Sequence, residues 1–317
     1  MKKLCALLLA VLAIASFAAC KNDGPPSPTP TSSPAPTSSP DGLTVTDMKG
    51  REVTLEKPAE RIVALTAGDC EILYALGVGD RIVGRGEYCD YPEDVLAVPS
   101  VASGYDTNIE QIIALNPDVV VMSTMAQTNE HIESLENAGL AVIVTEAPHL
   151  EGVYDAIALL GEVVDKTAEA DALITSMKDA FAALSAKVPQ LEKTPTIYFE
   201  VSPLQYGLWT AGTGTFMHEM GELLGVENIF ADLSLWAEVS EEQVIQRNPD
   251  FIVTTTMSYE GSPDPVEEIK GRAGWGGITA IVEGNVLNAD NDEITRPGPR
   301  LVDAAEQLFE LLYGGAA

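Results

Sequence analysis

The sequence predicts an α/β protein of two lobes with parallel sheets, joined by a single long α-helix, with a ligand cleft between the lobes. Three observations carry this. One helix–turn–strand unit occurs twice, 132 residues apart; strands alternate with short helices in both halves; and one long stretch free of Gly and Pro separates the halves.

The repeat is the sharpest of the three. Residues 108–125 read NIEQIIALNPDVVVMSTM and residues 240–257 read SEEQVIQRNPDFIVTTTM. Asn108 with Gln111, and Ser240 with Gln243, have the spacing of a capping box, in which the N-cap and the residue three further on satisfy each other's backbone N–H groups. A short helix follows and stops at Asn-Pro-Asp, since proline disfavours the helical conformation in the residue before it. The β-branched runs Val119–Ser123 and Phe251–Thr255 then read as buried parallel strands. Two similar lobes enclose a cleft, and clefts are where small ligands bind.

Taken in order, residues 1–19 form a signal peptide. Lys2 and Lys3 precede an apolar run from Leu4 to Phe17 that is too short for a membrane span, and Ala18-Ala19 precede Cys20. This looks like a bacterial lipoprotein signal, with Phe17 in place of the usual aliphatic residue; Cys20 is then the lipidated residue of an extracytoplasmic protein anchored to the cell membrane. Residues 20–42 are mostly Pro, Ser, Thr, Ala, Gly and Asp, cannot bury a core, and read as a disordered tether. Stretched as polyproline it reaches about 70 Å, at roughly 3.1 Å per residue.

The first lobe is expected over residues 43–166: a β-hairpin from Thr44 to Leu55, strands Ile62–Leu65, Ile82–Val83, Val119–Ser123 and Ala141–Val144, and helices near Glu71–Leu76 and Val153–Val164. Residues 167–190 form the inter-lobe helix: from Thr167 to Val188, Leu173, Met177, Phe181, Leu184 and Val188 share one face, and Pro189 ends it. The second lobe, 191–317, opens with strand Thr196–Val201, continues with strands near Phe251 and Val286, and closes with a helix from about Pro299 to Tyr313.

Composition narrows the function. With 48 acidic against 18 basic residues the formal net charge is −30, which argues against nucleic-acid or anionic-lipid partners. No catalytic constellation is apparent: Gly77-Val78-Gly79 and Gly212-Thr213-Gly214 lack the third glycine of a dinucleotide fingerprint, and His218-Glu219 lacks the second histidine of a zinc-protease helix. His131, His149 and His218 are far apart and read as surface or packing residues, so no metal site is assigned. The expectation is a binding protein, not an enzyme.

Aromatic residues punctuate the loops after the strands: Tyr88 and Tyr105 in the first lobe; Tyr206, Trp209, Trp236 and Tyr259 in the second. As a set they are expected to line a cleft for a large, flat, partly apolar ligand. Near the end, Asp292, Arg296 and Arg300 lie between a strand and the last helix. Arg296 is expected to contact ligand oxygens at the rim, with Asp292 beside it, and Arg300 to pair with a carboxylate of its own lobe. Cys70 and Cys89 both follow first-lobe strands and form a candidate disulfide in an oxidising compartment.

From about Leu43 to Tyr313 the chain resembles the cobalamin and ferric-siderophore class of ABC-transporter substrate-binding proteins. The residues that carry the resemblance are Arg61-Ile62-Val63-Ala64-Leu65, Glu71 to Gly77, Tyr88-Cys89-Asp90-Tyr91-Pro92, the two Asn-Pro-Asp repeats, Asn228-Ile229-Phe230 and Arg296-Pro297-Gly298-Pro299-Arg300. The resemblance implies two Rossmann-like lobes that close only modestly, and a monomer that delivers its ligand to an ABC permease dimer with a cytoplasmic ATPase. It implies that Tyr88, Trp236, Asp292 and Arg296 contact a corrin ligand, with Trp209 an added aromatic; Gly104 departs from the family, where a tryptophan can stand. Glu110 and Glu242, equivalent positions of the repeat, are expected to dock the two lobes on the permease. The expected ligand is cobalamin or a related corrinoid, with a ferric siderophore or haem as the alternatives; no catalytic cofactor is expected.

Overall fold

Strands β1 (Leu43–Thr46) and β2 (Glu52–Leu55) pair antiparallel, with Leu43 opposite Leu55, as the expected hairpin. Val45, Val53 and Leu55 point into the core, and the Asp47 side chain and Met48 N–H tie the turn to the backbone of Val144. The computed structural model describes residues 42–257 and 261–314; the signal segment, Cys20, the tether and Tyr259 lie outside the described residues. Among the described residues no helix is long and apolar enough to cross a membrane.

The first sheet holds β3 (Ile62–Ala64), β4 (Ile82–Gly86), β5 (Ser100–Val101), β6 (Val119–Met122) and β7 (Ala141–Val144). All are parallel, in the order β5–β4–β3–β6–β7. Parallel strands need crossovers, which here are helices α1 (Ala67–Ala75), α2 (Ile109–Ala114) and α3 (Asn129–Asn137), with α4 (Leu150–Val163) leaving β7. The period-2 alternation of β6 sorts its side chains: Val120 and Met122 face Ile112, Ile132 and Leu135 of α2 and α3, whereas Val119 and Val121 face the side of α1 and α4. Helix α5 (Thr167–Ser185) follows, burying Ala170, Met177, Phe181 and Leu184. It stops short of the expected Val188, which stands before Pro189 and packs beside Gly225 instead.

The second sheet holds β8 (Thr196–Ser202), β9 (Leu208–Ala211), β10 (Glu227–Asn228), β11 (Trp236–Val239), β12 (Phe251–Thr254) and β13 (Val286–Asn288). Its order, β11–β9–β8–β12–β13, repeats that of the first sheet, with β10 beside β8. The expected parallel strands β8, β12 and β13 form its core; β9 and β11 extend it antiparallel. Helix α6 (Phe216–Leu223) and the C-terminal α11 (Leu301–Tyr313) cover one face; α7 (Glu241–Arg247), α8 (Pro265–Lys270) and α9 (Thr279–Glu283) cover the other, around Tyr198, Phe230 and Trp275. A short helix, α10 (Asn291–Thr295), links β13 to α11.

The repeat reaches down to single torsions. Asn116 and Asn248 both take left-handed backbone, φ 47° and 46°, a conformation asparagine tolerates better than most residues. The following aspartates repeat as well. Asp118 accepts the N–H groups of Glu60 and Arg61 at 3.0 and 2.9 Å; Asp250 accepts the N–H and hydroxyl of Thr196, both at 2.9 Å. Each Asn-Pro-Asp therefore stops a helix and also pins the start of the neighbouring central strand. The capping boxes differ: Ser240 and Gln243 make both bonds, but Gln111 turns away to accept from Ala102 N–H at 3.2 Å, because the Asn108 N–H is already held by the Ala102 carbonyl.

One hydrophobic core runs through both halves. Ile72 and Val153 of the first, Met177 and Phe181 of α5, and Phe199, Phe216 and Leu301 of the second belong to a single cluster. The faces turned away from it form separate cores around α2–α3 and around α7–α9. Opening the lobes wide would expose part of the shared core, at roughly 25 cal/mol per Å² of apolar surface, which favours limited closure over free hinging.

Candidate functional site

In both sheets the strand order reverses once, between β3 and β6 and between β8 and β12. Adjacent crossovers leave such a point on opposite faces, opening a crevice outside the carboxyl ends of the strands. In the second lobe that crevice is a cavity of about 420 Å³. Val201, Pro203, Leu204 and Tyr206 line it from the end of β8, Thr255 and Met257 from the end of β12, and Asn291 from α10. A larger groove of about 780 Å³ is shallower and lies between the α5 end and α11, walled by Glu293, Asp303, Glu306 and Glu310; its chemistry fits solvent better than a flat apolar ligand.

The aromatic residues are placed by strand register and by loop tethers. Trp236 is opposite Ala211 and Glu238 opposite Trp209, so the two tryptophans lie diagonally on one face of the β9–β11 pair, the face of α6. Trp209 is 39 % exposed, while Trp236 is half-buried and meets Phe216 edge-on at 5.7 Å. Tyr88 is 70 % exposed on a loop held from behind by Arg85, whose guanidinium donates to the carbonyls of Val98, Gly86 and Cys89 at 3.1–3.3 Å. Tyr105 follows Gly104, which adopts φ 82°, and stands exposed with no ring contact to the other aromatics among the described residues. Tyr88 and Tyr105 follow β4 and β5, and Tyr206 follows β8, so all three rise from carboxyl ends.

The charged residues depart from expectation. Arg296 is not free at a rim. It is buried, and its guanidinium meets Glu71 at 3.0 Å, Asp90 at 2.7 Å and Asp292 at 2.6 Å. Arg300 does not pair only within its own lobe; it makes a two-pronged bond to Glu71 of α1, at 2.9 and 2.7 Å, stacks over the Tyr91 ring at 4.1 Å, and reaches Glu293 at 3.8 Å. Burial works against both cations, but their carboxylate partners outweigh it and hold both guanidinium pKa values above the ordinary range. Backbone packing supports the junction: a Cβ on Gly68 would stand 2.8 Å from the Pro297 carbonyl oxygen, so only glycine permits this approach. A second junction lies at the start of α4, where Phe216 N–H donates to the Pro148 carbonyl at 2.7 Å and Glu219 accepts Leu150 N–H at 2.7 Å.

Cys70 and Cys89 are not bridged. Both are buried free thiols; Cys89 Sγ donates to the Ala64 carbonyl at 3.7 Å, and the neighbouring Cys89 thiol, with burial, pushes the Cys70 thiol up. The histidines serve locally: His131 and His149 accept backbone N–H groups at the starts of α3 and α4, and His218 hydrogen-bonds Asn228.

Two kinds of residue escape the sequence reading. Glu71 and Asp90, the carboxylates that bind Arg296, are separated from it by 225 and 206 positions, and no local pattern links them. Met125 and Met257 do have a signal, since they end the two repeat copies; both are exposed, at 62 % and 56 %, just beyond β6 and β12. Glu110 and Glu242 are exposed in the first turns of α2 and α7, and Ile113 and Ile245, one turn on and also equivalent, are exposed beside them.

Residues 62–293 match the family described as periplasmic binding protein. Over 276 residues the chain is 34 % identical to the uncharacterized ABC transporter substrate-binding lipoprotein YvrC of Bacillus subtilis strain 168, covering 86 % of this chain and 85 % of that one. Among solved structures it resembles the periplasmic vitamin B12 binding protein BtuF of Vibrio cholerae, at 27 % identity and TM-score 0.67 over 80 % of this chain and 97 % of that one. It also resembles an ABC-type Fe3+-hydroxamate transport system protein of Saccharomonospora viridis, at 28 % identity and TM-score 0.71 over 86 % and 99 % of the two chains. Two sheets with the same strand order, a ligand-sized cavity where that order reverses, and a match over most of the length agree: the chain belongs to the periplasmic binding protein family.

Proposed function

We propose that this protein is the substrate-binding lipoprotein of an ABC importer, held at the membrane through Cys20, and that it carries cobalamin or a related corrinoid to a permease. The observation that carries the reading is the cavity at the second sheet's reversal point, lined by Tyr206 and Met257, together with Tyr88, Tyr105 and Met125, which stand exposed beyond the carboxyl ends of first-sheet strands, and Trp209, exposed on β9. Large flat apolar surfaces with few rotatable bonds suit a macrocycle, which stacks without ordering much of itself. Trp236 lies diagonal to Trp209 on the same face of the β9–β11 pair, and Asp292 supplies the polar contacts at the edge, with Arg296 acting through it. Likeness to a vitamin B12 binding protein supports the corrinoid; likeness to an Fe3+-hydroxamate system protein supports a ferric siderophore as the second reading.

Delivery to a permease dimer is assigned to Glu110 and Glu242, with Ile113 and Ile245 as apolar neighbours. The internal repeat presents the same acid-plus-apolar pattern on both lobes, which matches a partner built of two like subunits. The test is isothermal titration of the protein with cyanocobalamin, ferrioxamine B and haemin, with the absorption spectrum of the protein as purified. Saturable one-to-one binding with return of unaltered ligand is expected; turnover, or no binding to any of the three, refutes the proposal.

A further inference from the structure

The charges around Arg296 and Arg300 are layered, and the layering bears on which ligands the cleft accepts. The two guanidiniums are the inner layer, with side chains 10 % and 12 % exposed; Glu71 between them is 2 % exposed. The outer layer is carboxylate: Asp90 at 48 % and Asp292 at 33 % exposure, with Glu293 behind Arg300. Two cations face four carboxylates, Glu71, Asp90, Asp292 and Glu293, so the cluster carries an excess of negative charge, and its wetter side is the negative one. Asp292 adjoins Asn291, which lines the cavity.

Among the described residues no other guanidinium is left free to fork a ligand anion, although Arg61, Arg81 and Arg85, which bond only neutral carbonyls, keep their charge. Among the described residues every arginine is engaged: Arg51 by Asp47 and Glu136, Arg247 by Asp232, Arg272 by Glu200 and Glu268, and Arg61, Arg81 and Arg85 by backbone carbonyls. Among the described residues the lysines pair with carboxylates except Lys187, which lies in the acidic groove beside Glu306 and Glu310. An anionic ligand normally needs a guanidinium fork or an ammonium to replace its lost hydration.

We infer that the cleft selects metal chelates without net negative charge, with Asp90 and Asp292 as the residues that reject anionic ones by occupying Arg296 and presenting their own carboxylates to the ligand. This rests on the importer reading and deepens it: neutral corrinoids and neutral or cationic hydroxamate chelates are accepted, while haem, with its two carboxylates, and carboxylate- or catecholate-bearing siderophores are refused. Burial raises the Asp292 and Glu293 carboxyls; at Asp292 the attraction of Arg296 opposes this ahead of the repulsion from Asp90 and Asp290, whereas at Glu293 the carboxylates Asp290 and Asp303 come next.

The test uses charge-matched pairs on the full chain. Cyanocobalamin is titrated beside its monocarboxylic derivative, in which one side-chain amide is hydrolysed, and ferrioxamine B beside its N-succinyl derivative, in which an ammonium becomes a carboxylate. Within whichever pair binds, the added negative charge is expected to weaken binding about tenfold or more at low salt, the scale of a like charge approaching two uncompensated carboxylates within about 10 Å, and by less at high salt. Asp90→Asn with Asp292→Asn is expected to narrow the gap within the pair to less than about threefold, whatever the change in the neutral member's own affinity, and Asp90→Asn alone, which keeps the Asp292 contact to the ligand, to narrow it part of the way. Anionic members binding as tightly as their partners, or a gap unchanged in the double variant, overturns the inference and leaves the importer reading intact. No binding by any of the four probes overturns both.

Discussion

Replacing Glu71 with glutamine tests whether the bond between α1 and the C-terminal segment holds the two lobes together. Glu71 accepts three guanidinium N–H groups, two from Arg300 at 2.9 and 2.7 Å and one from Arg296 at 3.0 Å, in a site where its side chain is 2 % exposed. Glutamine keeps the shape, but its NH2 group faces guanidinium donors and the charge is gone. Arg296 retains Asp90 and Asp292; Arg300 keeps only Glu293 at 3.8 Å and the Tyr91 ring. Breaking a buried pair from one side costs about 3–5 kcal/mol. Because Asp90 and Asp292 let water approach, the lower end applies, about 3 kcal/mol, or several degrees in Tm for a chain of this size. Urea unfolding followed by circular dichroism measures it, and a cycle with Arg300→Met isolates the coupling: the double variant is expected to be clearly more stable than the sum of the single losses allows. If Glu71→Gln unfolds within about 0.5 kcal/mol of wild type, or the cycle is additive, the bond contributes nothing to holding the lobes and the reasoning fails.

Asp69 is fully buried at the start of α1, where it accepts the Thr66 and Thr145 hydroxyls; burial raises its carboxyl from 3.8 to about 6. The folded state thus holds this proton more tightly than the unfolded chain, so the stabilising effect is complete below pH 3.8 and is lost as pH rises through about 6, by about 3 kcal/mol. Asp69→Asn is expected to remove that decline; parallel stability curves for variant and wild type between pH 4 and 7 would count against it. Trp209→Ala is expected to weaken ligand binding by about 1–3 kcal/mol with little change in Tm, because its ring is partly exposed. Trp236→Ala is expected to lower both, since that ring also packs on Phe216; equal Tm losses in the two variants would contradict the placement. Charge reversal at Glu110 and Glu242 together is expected to abolish uptake with solution affinity unchanged, and normal uptake would remove them from docking.

Much of this architecture is written in short stretches of chain. Buried parallel strands announce themselves as β-branched runs, so β3, β6, β7, β8 and β12 are legible, and the Gly- and Pro-free periodicity of α5 marks the link between the halves. The Asn-Pro-Asp copies even carry the left-handed turn in their own residues, because asparagine needs no distant partner to adopt it. Strands β9 and β11 were not legible as an antiparallel pair: neither is long, and their hydrogen bonds join segments whose meeting depends on where α6 returns the chain. The rings Tyr88, Trp209 and Trp236 could be named in advance but not ranked by exposure. The fate of Arg296 and Arg300 lay further out of reach. Identity made them guanidiniums, and local sequence placed Asp292 four residues before Arg296, but Glu71 and Asp90 arrive from more than 200 positions away. A residue's conformation and capping are settled by its nearest neighbours, whereas its charge partners, and with them the sign of the surface it presents to a ligand, are settled only when the two lobes come into contact.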